Sequence, residues 1–315
     1  MRDYDLAIIG GGPAGLAAAC YGLQAQLQVA LISPTLGGKV SYPFQVRGLP
    51  AVESVWGADL VQQLAAFAEA RLSDLYHQEV KQVIREADGT FRIVLGNAEQ
   101  LHARAVIVCT GAQPQRLYVP GEHEFLGCGV SFSAISHAQF FRKRSVAVVG
   151  GERALPAVLK LANIASQVYY VLAHPRSLGN SPIVEAVLSH PKVIVLQDWE
   201  VQRIVGEQFV TGLALVGANG EVRTIPVEGV FVEFGLLPNI EMVRGLVDLD
   251  EEGRIMINQH CETSTPGLFA AGDVTNVHAE QVPVAIGEGV KAALSAWSYL
   301  TMQGIPHLLH LGAAH

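Results

Sequence analysis

Ile8-Ile9-Gly10-Gly11-Gly12-Pro13-Ala14-Gly15 is the stretch that decides the fold. It follows a short apolar run typical of a buried parallel strand, and helix-forming residues follow it. The pattern predicts a strand, a tight turn at Gly10, and a helix that Gly15 allows to pack closely. Gly12 would let a pyrophosphate approach the helix N-terminus, with its free N–H groups and positive dipole end. A second apolar run, Val29 to Ile32, provides the context that a dinucleotide-binding motif requires.

The length and composition of the chain limit what it can be. At 315 residues it has room for about two domains, and half of its residues are hydrophobic while 16% are charged. A net charge of −8 without a basic cluster argues against nucleic acid or an anionic membrane as the main partner. No apolar run reaches the roughly 18 residues of a membrane span, and no signal peptide precedes the first strand. We therefore expect a cytoplasmic protein with no integral membrane segment.

The four cysteines give no signal for a metal site or a disulfide scaffold. They are far apart and form neither CxxC nor CxxH. We expect each to be a small buried hydrophobic residue, and we expect no metal centre. The four are Cys20, Cys109, Cys128 and Cys261.

The segment Ser33-Pro34-Thr35-Leu36-Gly37-Gly38-Lys39 follows the second strand, where a dinucleotide fold holds a ribose. The acidic residue usual at this point is absent. Ser33 and Thr35 are therefore the candidates for hydrogen bonds there, and Gly37-Gly38 would let the backbone pass against a flat ring. The alternative is an ordinary surface turn.

Further elements follow at regular intervals along the chain. Residues 57–71 predict an amphipathic helix, residues 80–86 and 91–95 a hairpin, and residues 105–109 a buried strand that leads into Thr110-Gly111-Ala112. The pattern then repeats, with a strand at 146–149, Gly150-Gly151, a helix through Ser166 and a strand at 168–172. Other predicted strands lie at 193–196, 209–216 and 229–234. After Pro238 the chain is expected to return to the first domain with residues 254–258 and 267–273, followed by a helix from about Val284 to Gln303.

These residues together resemble, over the whole chain, the low-molecular-weight thioredoxin reductase family of flavoproteins. The marks are the first glycine turn, Gly37-Gly38, Cys109-Thr110-Gly111-Ala112, Ala270-Ala271-Gly272-Asp273, Gln281-Val282 and Gly287-Glu288-Gly289. The resemblance implies an α/β fold of two Rossmann-like, three-layer ββα domains, the second inserted in the first. Residues 1–112 and 242–315 would form the FAD domain, and residues 113–241 the inserted NADPH-type domain.

The resemblance also implies site residues and an assembly. Asp273 would lie near the ribityl chain of FAD and Gln281-Val282 near the isoalloxazine, and the protein would be a homodimer. The second domain of the family carries NADPH and a redox-active CxxC. The implied FAD-binding residues are Gly10, Gly12, Pro13, Ala14, Gly15, Ser33, Pro34, Gly37, Gly38, Lys39, Val80, Thr110, Gly111, Ala112, Gly272, Asp273, Gln281 and Val282.

One departure from the family lies at the start of its active-site helix. Here Ser133 and Ser136 occupy the two cysteine positions. A thiolate can attack a flavin and be resolved by a neighbouring thiol, whereas an alkoxide is inaccessible near neutral pH and forms no disulfide. The serines indicate either natural loss of the cysteines or their deliberate replacement. As a structural alternative, Ser133 is the N-cap of a helix through Phe141.

A second departure lies in the inserted domain, where the family has GxGxxA followed by a basic HRR cluster. This chain has Gly150-Gly151-Glu152-Arg153-Ala154, one residue short, and then His174-Pro175-Arg176. The missing residue shifts the turn that should point N–H groups at the pyrophosphate, and Glu152 adds a carboxylate beside it. Pro175 replaces one arginine of the cluster that pairs with a 2′-phosphate. We expect NADPH to bind poorly. A domain kept only as a scaffold is the alternative.

A thioredoxin reductase frame with a degenerate NADPH motif resembles the diflavin-linked disulfide oxidoreductases, in which a second FAD takes the place of the nicotinamide. This implies two FAD per chain and electron exchange with a dithiol or a small redox protein. Alternatives are a flavin reductase of the ferredoxin-NADP type, a ferredoxin-dependent relative, and a non-catalytic flavin-binding module. The tail with His307, His310 and His315 could cover a ligand, or it could be disordered.

Overall fold

The computed structural model describes residues 2–41, 44–48, 57–173 and 178–304. The C-terminal tail and its three histidines, together with His174 and Arg176, lie outside the described residues. The six helices found in the described residues are α1 (Pro13–Gln24), α2 (Ala58–Arg71), α3 (Ala134–His137), α4 (Leu155–Ala162), α5 (Pro182–Ser189) and α6 (Val282–Met302).

Seventeen strands are found in the same described ranges. In chain order they are β1 (Arg2–Gly11), β2 (Val29–Leu36), β3 (Asp74–Tyr76), β4 (Val80–Arg85), β5 (Phe91–Leu95), β6 (Gln100–Val108), β7 (Ala112–Pro114), β8 (Val130–Ser131), β9 (Ser145–Gly150), β10 (Gln167–Leu172), β11 (Val193–Leu196), β12 (Trp199–Gly206), β13 (Val210–Gly217), β14 (Val222–Pro226), β15 (Gly229–Val232), β16 (Leu236–Pro238) and β17 (Leu268–Ala270).

The described residues divide into two compact units. Unit 1 contains residues 2–41, 57–113 and 237–304, and unit 2 contains residues 44–48, 114–173 and 178–236. The sequence-based boundaries of the FAD domain, at 1–112 and 242–315, and of the NADPH-type domain, at 113–241, stay a prediction.

Unit 1 is built on a sheet with the strand order β3-β2-β1-β6-β5-β4, in which β17 also pairs with β6. Ile8 pairs in parallel with Leu31 on one side and with Ile107 on the other. Because side chains alternate along a strand, Ile8 faces a core shared with α1, α2 and α6, and Ile9 faces a second core with β4 and β5. The sheet therefore has a core on each face, as buried parallel strands require.

Unit 2 contains a parallel sheet with the order β11-β10-β9-β15-β8 and a three-stranded antiparallel sheet, β12-β13-β14. One core packs the parallel sheet against α3, α4 and α5, and the other lies toward the antiparallel sheet. The strand order reverses between β9 and β15. In open α/β sheets, ligands bind at the carboxyl ends of the strands at such a reversal.

Several predicted elements differ from the structure at their ends. The C-terminal helix begins at Val282 rather than Val284, because Pro283 is well suited to the first helical turn. The helix predicted to run through Ser166 ends at Ala162. In the returning segment at 254–258, Ile255 makes isolated bridges with Leu249 and Thr275.

No helix among the described residues combines the length and the apolar character that crossing a bilayer requires.

Candidate functional site

The first glycine turn is formed where backbone atoms come too close for any other side chain. Gly10 has a φ of +110°, and a Cβ there would lie 2.3 Å from the carbonyl oxygen of Cys109. A Cβ on Gly15 would lie 1.8 Å from the carbonyl oxygen of Gly10. Both positions therefore require glycine, as the sequence predicts.

Gly12 has a different environment, because a Cβ there would meet nothing within 4 Å. It is the N-cap of α1, and neither a side-chain cap nor an acidic first-turn residue is found there among the described residues. The first-turn N–H groups of a helix lack intrahelical partners. The turn thus provides open space beside free N–H groups, which fits the pyrophosphate of a dinucleotide such as FAD.

The loop after β2 lies against this turn. The N–H of Gly37 donates to the carbonyl oxygen of Gly11 at 2.8 Å, and a Cβ on Gly38 would lie 3.0 Å from the Cα of Gly12. Ser33 is buried, and its hydroxyl donates to the carbonyl oxygen of Thr35 at 2.7 Å. The Ser33 hydroxyl therefore has a partner within the loop, while Pro34 is exposed.

The loop after β17 reaches the same edge of the sheet. Asp273 forms an ion pair with Lys39, with 2.7 Å between the carboxylate oxygen and the ammonium nitrogen. The N–H of Gly272 donates to the carboxylate of Glu288 at 3.0 Å. Gly272 also packs near Ala14, because a Cβ on Gly272 would lie 3.1 Å from the Ala14 Cβ. The structure thus brings together three loops that are far apart in sequence.

Thr110 and Gly111 are held by Asn239, a residue that the sequence analysis did not identify. The Thr110 hydroxyl donates to the Asn239 carbonyl oxygen at 2.6 Å, and the Asn239 side-chain amide donates back to the Thr110 carbonyl at 2.9 Å. The N–H of Asn239 donates to the Gly111 carbonyl at 3.0 Å. Ala112, the next residue, opens β7.

The remaining implied FAD residues are more dispersed. Gln281 is the N-cap of α6, and Val282 packs against Gly57, where a Cβ would lie 2.8 Å from a Val282 methyl carbon. Val80 opens β4 and packs against the core that contains Ile9, on the face of the sheet away from the helices. Pro13 fills the first helical position of α1.

Ser133 and Ser136 lie at the start of α3 in unit 2. The Ser133 hydroxyl donates to the Ser136 hydroxyl oxygen at 3.1 Å and accepts the N–H of Ser136 at 3.3 Å. Ser133 is therefore an N-cap, as predicted, although α3 ends at His137 and continues as a 3₁₀ turn over Ala138–Phe141. The carboxylate of Glu233 also accepts the N–H of Ala134 at 2.8 Å.

A buried serine and a partly buried histidine support this helix start. The Ser131 hydroxyl and the His137 Nδ1 are 2.8 Å apart, and the His137 ring stacks on Phe44 with 3.9 Å between ring centroids. Burial lowers the pKa of His137 to about 4, so the imidazole is neutral near pH 7. Its Nε2 is buried without a hydrogen-bond partner among the described residues. Sequence reasoning missed this pair because neither residue belongs to the CxxC positions.

The second glycine turn, at the end of β9, is bonded internally. The Tyr170 hydroxyl donates to the Gly151 carbonyl at 2.8 Å, and the carboxylate of Glu152 accepts the N–H of Gly179 at 2.5 Å. Burial, together with the nearby Glu152 carboxylate, raises the pKa of Tyr170. A 3₁₀ turn over Glu152–Ala154 precedes α4. This turn therefore presents a carboxylate where the first turn presents open space.

Two further observations concern the second turn and the thiols. Arg153 reaches the carboxyl end of β15, where a Cβ on Gly235 would lie 3.7 Å from its guanidinium nitrogen.

All four cysteines are free thiols. Burial raises the pKa of Cys109, and it raises that of Cys261 to about 11. Neither of these two thiols is a thiolate near neutral pH.

The two units, each with a parallel sheet and a glycine turn at the end of a strand, define a dinucleotide-binding oxidoreductase. The chain belongs to the pyridine nucleotide-disulphide oxidoreductase family, a family of FAD-binding flavoproteins, whose model matches residues 4–289. This confirms the α/β fold with two Rossmann-like domains that the sequence predicts.

Solved structures of thioredoxin reductases are similar to this chain over nearly its whole length. The enzyme of Streptococcus pyogenes MGAS5005 has a TM-score of 0.85 and 29% identity, with 96% of this chain and 99% of that chain covered. The enzyme of Giardia duodenalis has a TM-score of 0.83 and 30% identity, with coverages of 96% and 100%. These matches confirm the resemblance to thioredoxin reductases.

Among curated sequences, an alkyl hydroperoxide reductase component of Xanthomonas campestris pv. phaseoli is 33% identical over 96% of this chain. The chain covers 58% of that relative. It likewise covers 59% of the NADH dehydrogenase of Bacillus subtilis (strain 168). The chain thus spans less than two thirds of the length of these curated relatives.

Proposed function

We propose that this chain is a flavin-dependent oxidoreductase of the thioredoxin reductase type that binds two FAD and does not use NADPH as its electron donor. We further propose that Ser133 and Ser136 take no part in dithiol exchange. The observation that carries the proposal is the carboxylate of Glu152 in the second glycine turn.

FAD in unit 1 is supported by the fit of the first turn to a pyrophosphate. When bound, FAD supplies reversible hydride and electron transfer at its isoalloxazine. Gly12 and the N-terminus of α1 would hold its phosphates, and the Lys39–Asp273 ion pair lies on a neighbouring loop. Glu288 fixes Gly272 next to Asp273, and this orients the loop for the ligand.

Weak NADPH binding is supported by charge and by hydrogen bonding. A phosphate and a carboxylate repel each other, most strongly where little water separates them. Glu152 is also tied to Gly179, so turning its carboxylate away from the turn would break a charge-assisted hydrogen bond. The pyrophosphate of an NADPH seated in this turn would therefore meet either the repulsion or the loss of that bond.

The absence of dithiol chemistry at residues 133 and 136 is supported by the hydrogen-bonded hydroxyl pair. Serine hydroxyls neither ionise near neutral pH nor form a disulfide. Of the cysteines, Cys109 and Cys261 are buried with raised pKa values, so they are poor substitutes. The hydrogen bonds of this helix start are nevertheless in place. Ser133 is the N-cap of α3, and the carboxylate of Glu233 accepts the N–H of Ala134.

Three other functions remain as competing proposals. A flavin reductase of the ferredoxin-NADP type explains the serines simply, but it requires a nicotinamide site that the Glu152 carboxylate opposes. A ferredoxin-dependent relative avoids that requirement. A non-catalytic flavin-binding module would show no flavin reduction by NADPH, dithiols or ferredoxin.

Two measurements test the main proposal. Flavin released by denaturing a known amount of FAD-saturated protein should approach two equivalents per chain. In a stopped-flow instrument, micromolar NADPH should leave the flavin absorbance unchanged over milliseconds to seconds. One equivalent of released flavin at saturation would contradict the second FAD. Full bleaching of the flavin in milliseconds would show that NADPH is an electron donor.

We also propose that the protein is a cytoplasmic homodimer that exchanges electrons with a small redox protein or a dithiol. Exposed apolar side chains on the helices of unit 1 support an interface there, namely Tyr21, Leu60, Phe67, Leu294 and Trp297. Sedimentation velocity at micromolar concentration should give the mass of a dimer, and a monomer that persists at high concentration would contradict the proposal.

A further inference from the structure

Tyr118 combines two unfavourable features, a strained backbone and an exposed aromatic ring. Its φ of +56° lies in the left-handed region, where a bulky side chain is strained. Its side chain is also 84% exposed. It is the only aromatic residue with positive φ among the described residues. Strained backbone positions cluster at active sites and ligand clamps, which makes Tyr118 a candidate contact residue.

A buried carboxylate holds Tyr118 in this conformation. Glu122 is buried, and its two carboxylate oxygens accept the N–H groups of Leu117 and Tyr118, each at 2.8 Å. Charge-assisted hydrogen bonds of this kind are roughly twice as strong as neutral ones. The carbonyl of Pro120 accepts the N–H of Ile204 at 2.9 Å, which anchors the segment to β12. The backbone is therefore fixed while the ring stays in solvent.

The Tyr118 segment lies at the carboxyl ends of the parallel strands of unit 2. The N–H of Gln115 donates to the carbonyl of Gly235, which follows β15, at 3.0 Å. The guanidinium of Arg116 lies 6.0 Å from the centroid of the Phe132 ring, and Phe132 follows β8. This is the edge of the sheet at which α/β folds bind ligands. Arg116 adds a cation, which suits a ligand with phosphate groups.

We propose that Tyr118 is a stacking residue for a planar, phosphate-bearing heteroaromatic ligand of unit 2, namely the second FAD, whose phosphates lie toward Arg116 and outside the Glu152 turn. The inference rests on the proposed function, because it names a residue that would hold that flavin. The ring of Tyr118 offers an apolar face to the ligand, and its phenolic hydroxyl stays hydrated. Fixing the backbone in advance reduces the ordering cost of binding.

The experiment compares flavin binding with stability in the full chain. Tyr118→Gly removes the ring and relieves the strain at positive φ, so this variant should be at least as stable in urea as the parent. Its second FAD should bind about tenfold more weakly, the upper range for the loss of an aromatic contact. Tyr118→Phe keeps the ring and should retain tight binding.

A matched control separates strain relief from ligand contact. Lys143 is also exposed in unit 2 and has a φ of +60°, but it carries no ring. Lys143→Gly should gain stability without changing FAD affinity. FAD titration of apoprotein by flavin fluorescence gives the affinities, and denaturation of saturated samples gives the equivalents.

The outcomes distinguish a failure of the proposed function from a failure of the stacking role of Tyr118. If the parent chain saturates at one FAD, the proposed function fails. If the parent binds two FAD and Tyr118→Gly binds the second with unchanged affinity, two flavins stand and the stacking role is overturned. The role is also overturned if Tyr118→Phe weakens binding as much as Tyr118→Gly does.

Discussion

At the scale of single residues, the carboxylate of Glu152 opposes a nucleotide phosphate in the second turn. Glu152→Gln removes the charge but keeps an oxygen that can accept the N–H of Gly179. We expect this variant to bind NADPH about tenfold more tightly, because one close like-charge repulsion is removed. Isothermal titration at low and high salt checks this expectation. Glu185→Gln, which removes an exposed carboxylate on α5, is the control and should change nothing.

The serine pair gives a second residue-scale prediction. Ser133→Cys with Ser136→Cys should restore a dithiol, because the two hydroxyl oxygens already lie 3.1 Å apart. We expect the oxidised double variant to lose two titratable thiols relative to its reduced form, and its flavin to be bleached by a dithiol. Ser133→Cys alone is the control, since one added thiol has no partner at position 136. Rapid dithiol exchange by the unaltered chain would show that another cysteine pair carries the chemistry.

His137 gives a prediction about pH. Its pKa falls to about 4 in the folded protein, below the unfolded value of 6.5, because burial penalises the imidazolium. Between these values the unfolded chain binds more protons, so the stability of the fold decreases as the pH falls from 6.5 toward 4. The loss should amount to about 1–3 kcal/mol. His137→Phe keeps a ring beside Phe44, so urea unfolding at several pH values should show a flatter slope. His260→Gln, at an exposed histidine, should keep the parent slope.

At the scale of elements, the contact between α1 and α6 depends on Gly289. A Cβ there would lie 2.0 Å from the carbonyl oxygen of Ala14, directly behind the first glycine turn. Gly289→Ala should lower the free energy of unfolding by about 1–3 kcal/mol through overpacking, and should weaken FAD binding as α1 shifts. Gly287→Ala, on the same helix with nothing within 4 Å of the new Cβ, should gain up to about 1 kcal/mol. Urea unfolding of the apoproteins would contradict this if both variants behaved alike.

Local sequence patterns predicted the elements that have clear apolar runs and clear turn residues at their ends. The hairpin of β4 and β5 and the edge strand β11 could be predicted, because each is an apolar run flanked by turn residues. The helix α5 was missed, because eight residues give too short a periodic pattern. The strand β12 was also missed, and its pairing with β13 shifts register twice.

The candidate site likewise contains residues that a local pattern predicts and contacts that only the packed fold creates. The glycines of the first turn could be predicted because their spacing itself encodes the turn. The contact between Thr110 and Asn239 joins residues 129 positions apart, and only the packed fold brings them together. The roles of Glu288 and Glu122 depend in the same way on backbone N–H groups whose positions no local pattern specifies.

At the scale of the whole molecule, two flavins in one chain would change its electron capacity. Each FAD accepts two electrons, so an anaerobic dithionite titration should take up about four electrons per chain before the flavin absorbance is fully bleached. The serine positions add none, because they form no disulfide, whereas the double cysteine variant should take up about two more. The double variant is thus an internal standard for the electron count. An endpoint at two electrons per chain in FAD-saturated protein would leave a single flavin, and an endpoint at six without the cysteines would require a redox-active thiol pair among the native cysteines.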